Sequence, residues 1–396
     1  MKISQVRGWH LSDLTDTATG LRNGAAQLDE HALTVINGMD GVSTNWEGEA
    51  RDAYAVKVKD HGEEFFQRKQ RWNNAAAVLD KGAQQMGLLR DELLKRVDDP
   101  AVQQMFNITD DGGVTLKPEY QATLKSPKDV EAAQTRRAEF EHALRALLAT
   151  ADVAGQQYDW QATNALRGEK DSDRPFAPQI PDHPTPPTFS KDNANKDGSG
   201  PDQYGIDKPG FLDKAGLQAT RAWAEGLVGS TRAAGQQYAP DLLQHFLDGS
   251  GKPATVPVDN MLHDMSWFKQ DSTAMAKANL DAAMRSMPPG YEGPVAFQSG
   301  YGSVDGDPAR PKAASNPDWF AALGSFSYQT SVVAMPNGNG TYDVSSQVNI
   351  YDYYNFETTD QHPWPQPSDL NNLHRAGWAQ NFETFGTSSP QRSTWP

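Results

Sequence analysis

The chain has 396 residues, enough for two or three domains that each bury a core of their own. Its formal net charge of −15 argues against a nucleic-acid partner, because such a protein needs a basic face to neutralise phosphates. The same charge argues against attachment to anionic lipid through a polybasic patch. An enzyme acting on phosphate substrates is compatible with it, because a metal ion can supply local positive charge.

The chain has no cysteine, so it forms neither a disulfide nor a thiolate metal site. The segment Met1 to Trp9 lacks the apolar run of a secretory signal. No segment approaches the roughly 20 apolar residues of a membrane span. If the protein leaves the cell, we expect it to do so without a classical signal peptide.

Two long amphipathic helices are predicted for the first hundred residues, because apolar residues recur at steps of three and four. The first helix carries Leu14, Ala18, Leu21, Ala25, Leu28, Ala32, Val35 and Met39. The second carries Tyr54, Val58, His61, Phe65, Trp72, Ala76, Leu79, Ala83, Met86, Leu89 and Leu93, and Asp98-Asp99-Pro100 ends it. Matched apolar faces joined by a short loop predict an antiparallel hairpin.

The loop between the two helices contains Trp46-Glu47-Gly48. We expect Trp46 to lie across the end of the first helix and Gly48 to let the two backbones approach. In this context, residues 1 to about 97 resemble the Trp-x-Gly family of type VII (ESX-like) secretion substrates. The resemblance implies a secreted or cell-surface protein with a type VII secretion partner or chaperone. A Tyr-x-x-x-Asp/Glu export signal does not follow the second helix, which predicts a partner chain or a variant signal.

The rest of the chain divides by composition and pattern. A small β-hairpin is predicted over residues 106–116, and a further helix begins at Ser126-Pro127. Prolines concentrate in 171–204, which predicts a linker. The predicted fold is therefore multidomain: an elongated all-α hairpin or bundle (1–170), the proline-rich linker (171–204), a helical lead-in (205–290), and an α+β domain with an antiparallel sheet (291–396).

The predicted sheet rests on three strands. One spans about 294–298, and two alternating segments, 323–335 and 341–351, flank the turn Asn337-Gly338-Asn339-Gly340. The last strand runs into Asp352-Tyr353-Tyr354-Asn355, and a proline-rich loop then leads to His374-Arg375, which we expect to open a helix.

This order resembles the catalytic end of the colicin M family, Mg2+-dependent phosphodiesterases that cut lipid II between the undecaprenyl lipid and the pyrophosphate. The matching residues are Asp352, Tyr354, Asn355, His374 and Arg375. Asn355 stands where the family has an Asp, and His374 follows it by nineteen positions, farther than in the family.

The chemistry of these residues suits the implied reaction. Asp352 could bind Mg2+ or orient a water, and His374 could act as a general acid or base. Arg375 could hold a phosphate through two parallel hydrogen bonds, and Tyr354 could position the leaving oxygen. The Mg2+ ion is implied by the resemblance alone. Candidates for the missing carboxylate are Asp343, Asp360 and Asp369, and the sequence does not choose among them.

The leading hypothesis is a secreted antibacterial polymorphic toxin whose C-terminal domain hydrolyses lipid II, with an immunity protein in the producing cell. Two alternatives stay open: a secreted interaction protein without enzymatic activity, and a toxin of different chemistry. Tyr351, Tyr353 and Tyr354 could instead serve only in packing. His374-Arg375 could be an ordinary helix start without a catalytic role.

Overall fold

The computed structural model describes residues 1–43, 47–168, 203–304, 316–356 and 367–396. The predicted fold class is confirmed, because long N-terminal helices are followed by further helices and a mainly antiparallel sheet. The helices are α1 (Ile3–Arg7), α2 (Ser12–Ser43), α3 (Glu49–Val97), α4 (Pro100–Met105), α5 (Pro118–Gln121), α6 (Pro127–Arg167), α7 (Phe211–Ala233), α8 (Tyr238–Leu247), α9 (Val258–Asp264), α10 (Ser266–Ser286), α11 (Pro317–Leu323) and α12 (Pro367–Arg375). The strands are β1 (Phe106–Ile108), β2 (Val114–Leu116), β3 (Ala254–Thr255), β4 (Val295–Gln298), β5 (Gly302–Val304), β6 (Phe326–Pro336), β7 (Tyr342–Tyr354), β8 (Phe382–Thr387) and β9 (Gln391–Trp395). Among the described helices, none combines the length and the hydropathy of a membrane-spanning segment.

Helices α2 and α3 form the predicted antiparallel hairpin. Arg22 pairs with Asp80, and Lys69 with Asp29, which fixes the opposite directions of the two helices. The predicted apolar face of α2 is buried at Ala18 and exposed at Val35. This face of α2 is therefore buried near the body of the protein and more exposed towards the loop.

Glycine serves two different purposes in this hairpin. Gly48 has φ +104° and ψ −178°, a conformation that only glycine adopts readily, and among the described residues nothing lies within 4 Å of where its Cβ would be. At Gly24 the absence of a side chain leaves room for the Trp72 ring, with which a Cβ would collide. The backbone approach expected at Gly48 stays a prediction, because residues 44–46, including Trp46, lie outside the described residues.

Helix α6 completes the N-terminal core. Ser126 and Asp129 form a capping box at its start, and the left-handed Gly168 ends it, close to the predicted limits. Leu144 and Leu147 of α6 are fully buried against Leu89 and Leu93 of α3. The predicted hairpin of β1 and β2 is also present and packs on this core.

The main sheet has the order β3-β8-β7-β6-β4, with β5 paired to β6 and β9 paired to β7. All pairings are antiparallel except that of β3 with β8. Phe246, Phe268 and Trp319 from the helices are buried with Ile350 and Phe382 from the sheet in one hydrophobic cluster. The predicted lead-in and the predicted α+β segment therefore pack as one unit.

The N-terminal helices contact this unit at the edge strand β4. The Thr150 hydroxyl of α6 donates to the backbone carbonyl of Ala296 at 3.1 Å and accepts from the Ala296 N–H at 3.0 Å. Nearby, the Gln85 side-chain oxygen accepts the Glu292 N–H at 2.7 Å. Thr150 therefore satisfies the backbone groups that an edge strand would otherwise leave unpaired.

We expect Thr150→Val to lower the free energy of unfolding by about 1–3 kcal/mol, because the buried N–H and C=O of Ala296 lose their partner. Valine keeps the shape and β-branching of threonine, so helix propensity changes little. Urea denaturation measures the effect. The matched control is Thr135→Val in the same helix, where an exposed hydroxyl bonds only to the preceding turn. Equal losses in both variants would contradict the role of Thr150.

His142 lies at the same junction, its ring 4.2 Å from that of Phe297. Burial lowers the pKa of His142; a hydrogen bond with Asn279 opposes this shift and the charge of Arg285 adds to it. The ring nitrogen Nε2 is buried and has no hydrogen-bond partner among the described residues. The folded protein therefore favours the neutral imidazole.

Because the pKa of His142 is lower in the folded state, the unfolded chain takes up its proton first as the pH falls. We expect stability to decline below about pH 6.5, the ordinary range of histidine. Urea midpoints between pH 8 and pH 5 should fall less in His142→Gln than in the unmodified chain. An identical decline in both proteins would show that other groups set the acid sensitivity.

Candidate functional site at the ends of strands β7 and β8

Strand β7 brings two of the predicted site residues to one face of the sheet. Asp352 pairs with Thr384 of β8, and Tyr354 pairs with Phe382. Alternate residues of a strand share a face, so the Asp352 and Tyr354 side chains lie on the same side. Asp352 is 5% exposed and Tyr354 is 8% exposed, which places a carboxylate and a phenol at the margin of the hydrophobic core.

Tyr354 has both a packing role and an electrostatic one. Its ring stacks on that of Phe382 with centroids 4.9 Å apart and contacts Phe356 edge to face. Burial raises the pKa of the Tyr354 phenol, and the charge of Asp352 raises it further. The Tyr354 hydroxyl is therefore neutral at physiological pH.

His374 and Arg375 end helix α12, contrary to the expectation that they would open a helix. Pro367 begins the helix, since proline suits the first helical position, and the left-handed Gly377 follows its end. Basic side chains in the last turn also complement the negative end of the helix dipole. The prediction was wrong because the start signal lies at the proline, eight positions before Arg375.

The His374 ring is buried and anchored at the start of β8. Its Nδ1 accepts a hydrogen bond from the Asn381 backbone N–H at 3.2 Å. Since Nδ1 is an acceptor, the neutral ring carries its proton on Nε2 and presents a donor there. The side-chain oxygen of Asn381 is buried without a hydrogen-bond partner in the described part of the chain. This end of the sheet therefore holds the His374 ring in a fixed tautomer next to a side-chain oxygen of Asn381 that has no partner among the described residues.

Arg375 is the neighbour of His374 but faces a different partner. Its guanidinium makes two hydrogen bonds, of 2.9 and 3.2 Å, to the carboxylate of Asp207. Asn355 follows directly on β7 and is half-buried. Tyr354 and Asn355 thus lie at the end of β7, with Asp352 two positions inside the sheet, and His374 is hydrogen-bonded to the residue before β8. Arg375 is held at the rim.

The proposed replacements for the missing carboxylate lie elsewhere or outside the described residues. Asp343 is at the opposite end of β7, nine residues and therefore about 30 Å from Asp352. Asp369 is exposed in the first turn of α12, and Asp360 is not among the described residues. In the described ranges, no three His, Asp or Glu side chains cluster closely enough to hold a metal ion. Asp352 alone would have to share Mg2+ with water and substrate oxygens.

Sequence reasoning missed Tyr204, Asp207 and Asn381, which contact the residues of this site. The Tyr204 ring lies 5.4 Å from the His374 ring, and Asp207 holds Arg375. No local pattern marks the first two, because their contacts span about 170 positions of sequence. Gly377, a typical helix end, was the available sign that α12 stops before Asn381.

The anchored Nδ1 of His374 leads to a prediction for nuclear magnetic resonance. In 15N-1H spectra of the histidine rings at pH 8, we expect His374 to show the tautomer protonated on Nε2. The chain has nine histidines, so the signal is assigned by its loss in His374→Gln. A proton on Nδ1 would contradict the hydrogen bond from Asn381.

Comparison of the chain with protein-family models, with curated proteins and with solved structures finds no match. The functional assignment therefore depends on the geometry of this chain. Its strongest elements are the shared face of Asp352 and Tyr354 and the anchored ring of His374.

Proposed function

We propose that the protein is a secreted antibacterial toxin whose C-terminal unit hydrolyses lipid II, the lipid-linked precursor of peptidoglycan. One observation carries the proposal. The buried side chain of Asp352 and the neutral phenol of Tyr354 share one face of β7, and the His374 ring is anchored to Asn381 at the start of β8, where the side-chain oxygen of Asn381 is buried without a hydrogen-bond partner among the described residues. A buried polar atom without a partner is rare in a folded protein and points to a bound water or ligand.

The geometry suggests a division of roles within the reaction. Water attacks the phosphorus next to the undecaprenyl oxygen, the P–O bond breaks, and undecaprenol and the pyrophosphorylated disaccharide are released. Asp352 is the available base to take the proton of the attacking water. His374 donates from Nε2 to an oxygen that gains negative charge, a role that differs from the acid-base exchange expected from sequence. Tyr354 positions the leaving oxygen and gives it the proton that undecaprenol needs, and the proton that Asp352 has taken from water then restores the Tyr354 hydroxyl.

Mg2+ enters the proposal only through the resemblance to the colicin M family. Asp352 is the described carboxylate that would bind the ion, and the ion would neutralise charge on the pyrophosphate.

The N-terminal hairpin supports the part of the proposal that concerns export. Towards their loop, α2 and α3 leave Leu33, Val56 and Phe66 more than half exposed. A groove along α3 is lined by Ala55, Val58, Lys59, Gly62, Glu63, Phe66, Gln67 and Gln70. Exposed large apolar side chains, of which Phe66 also lines the groove, are typical of an interaction surface. We propose that a type VII secretion partner or chaperone binds here, and that an immunity protein binds the C-terminal unit.

The decisive experiment incubates the full chain with lipid II and Mg2+ and measures the release of undecaprenol. We expect turnover by the unmodified chain and a loss of at least about 100-fold in Asp352→Asn and in His374→Gln. The matched control is Asp343→Asn, which removes an exposed carboxylate from the same strand. This variant should keep full activity.

The possible results separate the function from the site. Absence of turnover by the unmodified, folded chain would refute the enzymatic proposal and favour a secreted interaction protein. Turnover in Asp352→Asn would support the proposed reaction and refute the assignment of Asp352 as its base. Circular dichroism of each variant shows whether a lost activity reflects a lost fold.

A further inference from the structure

Residues 203–207, here called the strap, lie against the C-terminal end of α12. The Gly205 N–H donates to the His374 carbonyl at 3.2 Å, and the Asp207 N–H donates to the Arg375 carbonyl at 2.9 Å. The Tyr204 hydroxyl donates to the Gly377 carbonyl at 3.3 Å. Helix-end carbonyls lack donors within their own helix, so the strap supplies them.

The strap also lies against the His374 side chain. The Tyr204 ring lies beside the His374 ring, and His374 is only 5% exposed. A Cβ at Gly377 would lie 3.6 Å from the Gly205 Cα, an ordinary contact, so the strap packs against this turn. Glycine is favoured at this position by its left-handed backbone, with φ +75°.

In the ion pair between Asp207 and Arg375, the carboxylate accepts the same pair of guanidinium hydrogen bonds that a substrate phosphate would accept. A carboxylate and a phosphate both accept two parallel hydrogen bonds from a guanidinium, so they compete for the same donors. The Arg375 side chain is 28% exposed and that of Asp207 is 45% exposed. An ion pair with this much solvent contact is weak, and an anion of higher charge can displace its carboxylate.

We propose that the strap is an autoinhibitory element, in which Asp207 occupies Arg375 in place of a substrate phosphate and Tyr204 screens His374. The inference rests on the proposed function, because it assigns Arg375 to the substrate. A strap that serves only to cap α12 would act through its backbone hydrogen bonds, which do not depend on the Asp207 carboxylate. Removing that carboxylate therefore distinguishes inhibition from capping.

The test measures the binding of inorganic pyrophosphate to the full chain by isothermal titration calorimetry. We expect Asp207→Asn to bind about five-fold more tightly than the unmodified chain, the value of a weak ion pair. The double variant Asp207→Asn with Arg375→Gln should lose this gain. The matched control is Asp213→Asn, which removes an equal charge nearby, where the carboxylate accepts the Gly210 N–H and does not contact Arg375. Its affinity should stay close to that of the unmodified chain.

Equal pyrophosphate affinity in Asp207→Asn and the unmodified chain would refute the autoinhibitory role of the strap. An equal gain in affinity in Asp213→Asn would also refute it, because such a gain would reflect net charge alone. Asp207→Ser gives the same test if the asparagine variant does not fold. Lipid II hydrolysis is measured in the same samples. Turnover with unchanged pyrophosphate affinity would refute the strap and leave the proposed function. A gain in affinity that requires Arg375, without any turnover, would refute the proposed function and retain Asp207 as a competitor for anions.

Discussion

The hydroxyl of Thr150 takes the place of a neighbouring strand at the edge of the main sheet. Because the same helix, α6, also supplies Leu144 and Leu147 to the N-terminal core, one rigid element belongs to both halves of the protein. A helix on an edge strand also blocks pairing with a second chain at that edge. This contact and the one between Gln85 and Glu292 hold the hairpin against the β4 edge of the sheet. The candidate site lies away from that edge, where β7 meets β8.

The sequence predicted those helices and turns that are specified by residues within or next to them. The Ser126 capping box, the Gly338 and Gly340 turn and the apolar period of α2 and α3 each lie within a few residues of the structure that they specify. Strands β8 and β9 were not predicted, because their partners on β7 lie about 30 to 50 positions away. A short strand such as Gln391–Trp395 is mostly exposed and shows little apolar alternation.

In the candidate site, too, some features could be predicted from local sequence and others could not. Asp352 and Tyr354 could be predicted to share a face from strand alternation alone, and their burial agrees with that pattern. The role of His374 could not be predicted, because it depends on a hydrogen bond from the Asn381 N–H. The partner of Arg375 could not be predicted either, because Asp207 lies far back along the chain. The direction in which a histidine presents its proton is set by its neighbours in space. Sequence could therefore nominate the residue without assigning its chemistry.

The order of the strands also sets a sequence of events during synthesis. Domains fold from the N-terminus as the chain emerges, so the α3 and α6 core can form early. Strand β7, in contrast, has no neighbour on one side until residue 387 has left the ribosome, and the His374 ring has no anchor until Asn381 has done so. Any activity of this end of the sheet is therefore absent from a growing chain, and a ribosome that stalls before β8 leaves the producing cell with a fragment in which the site cannot assemble.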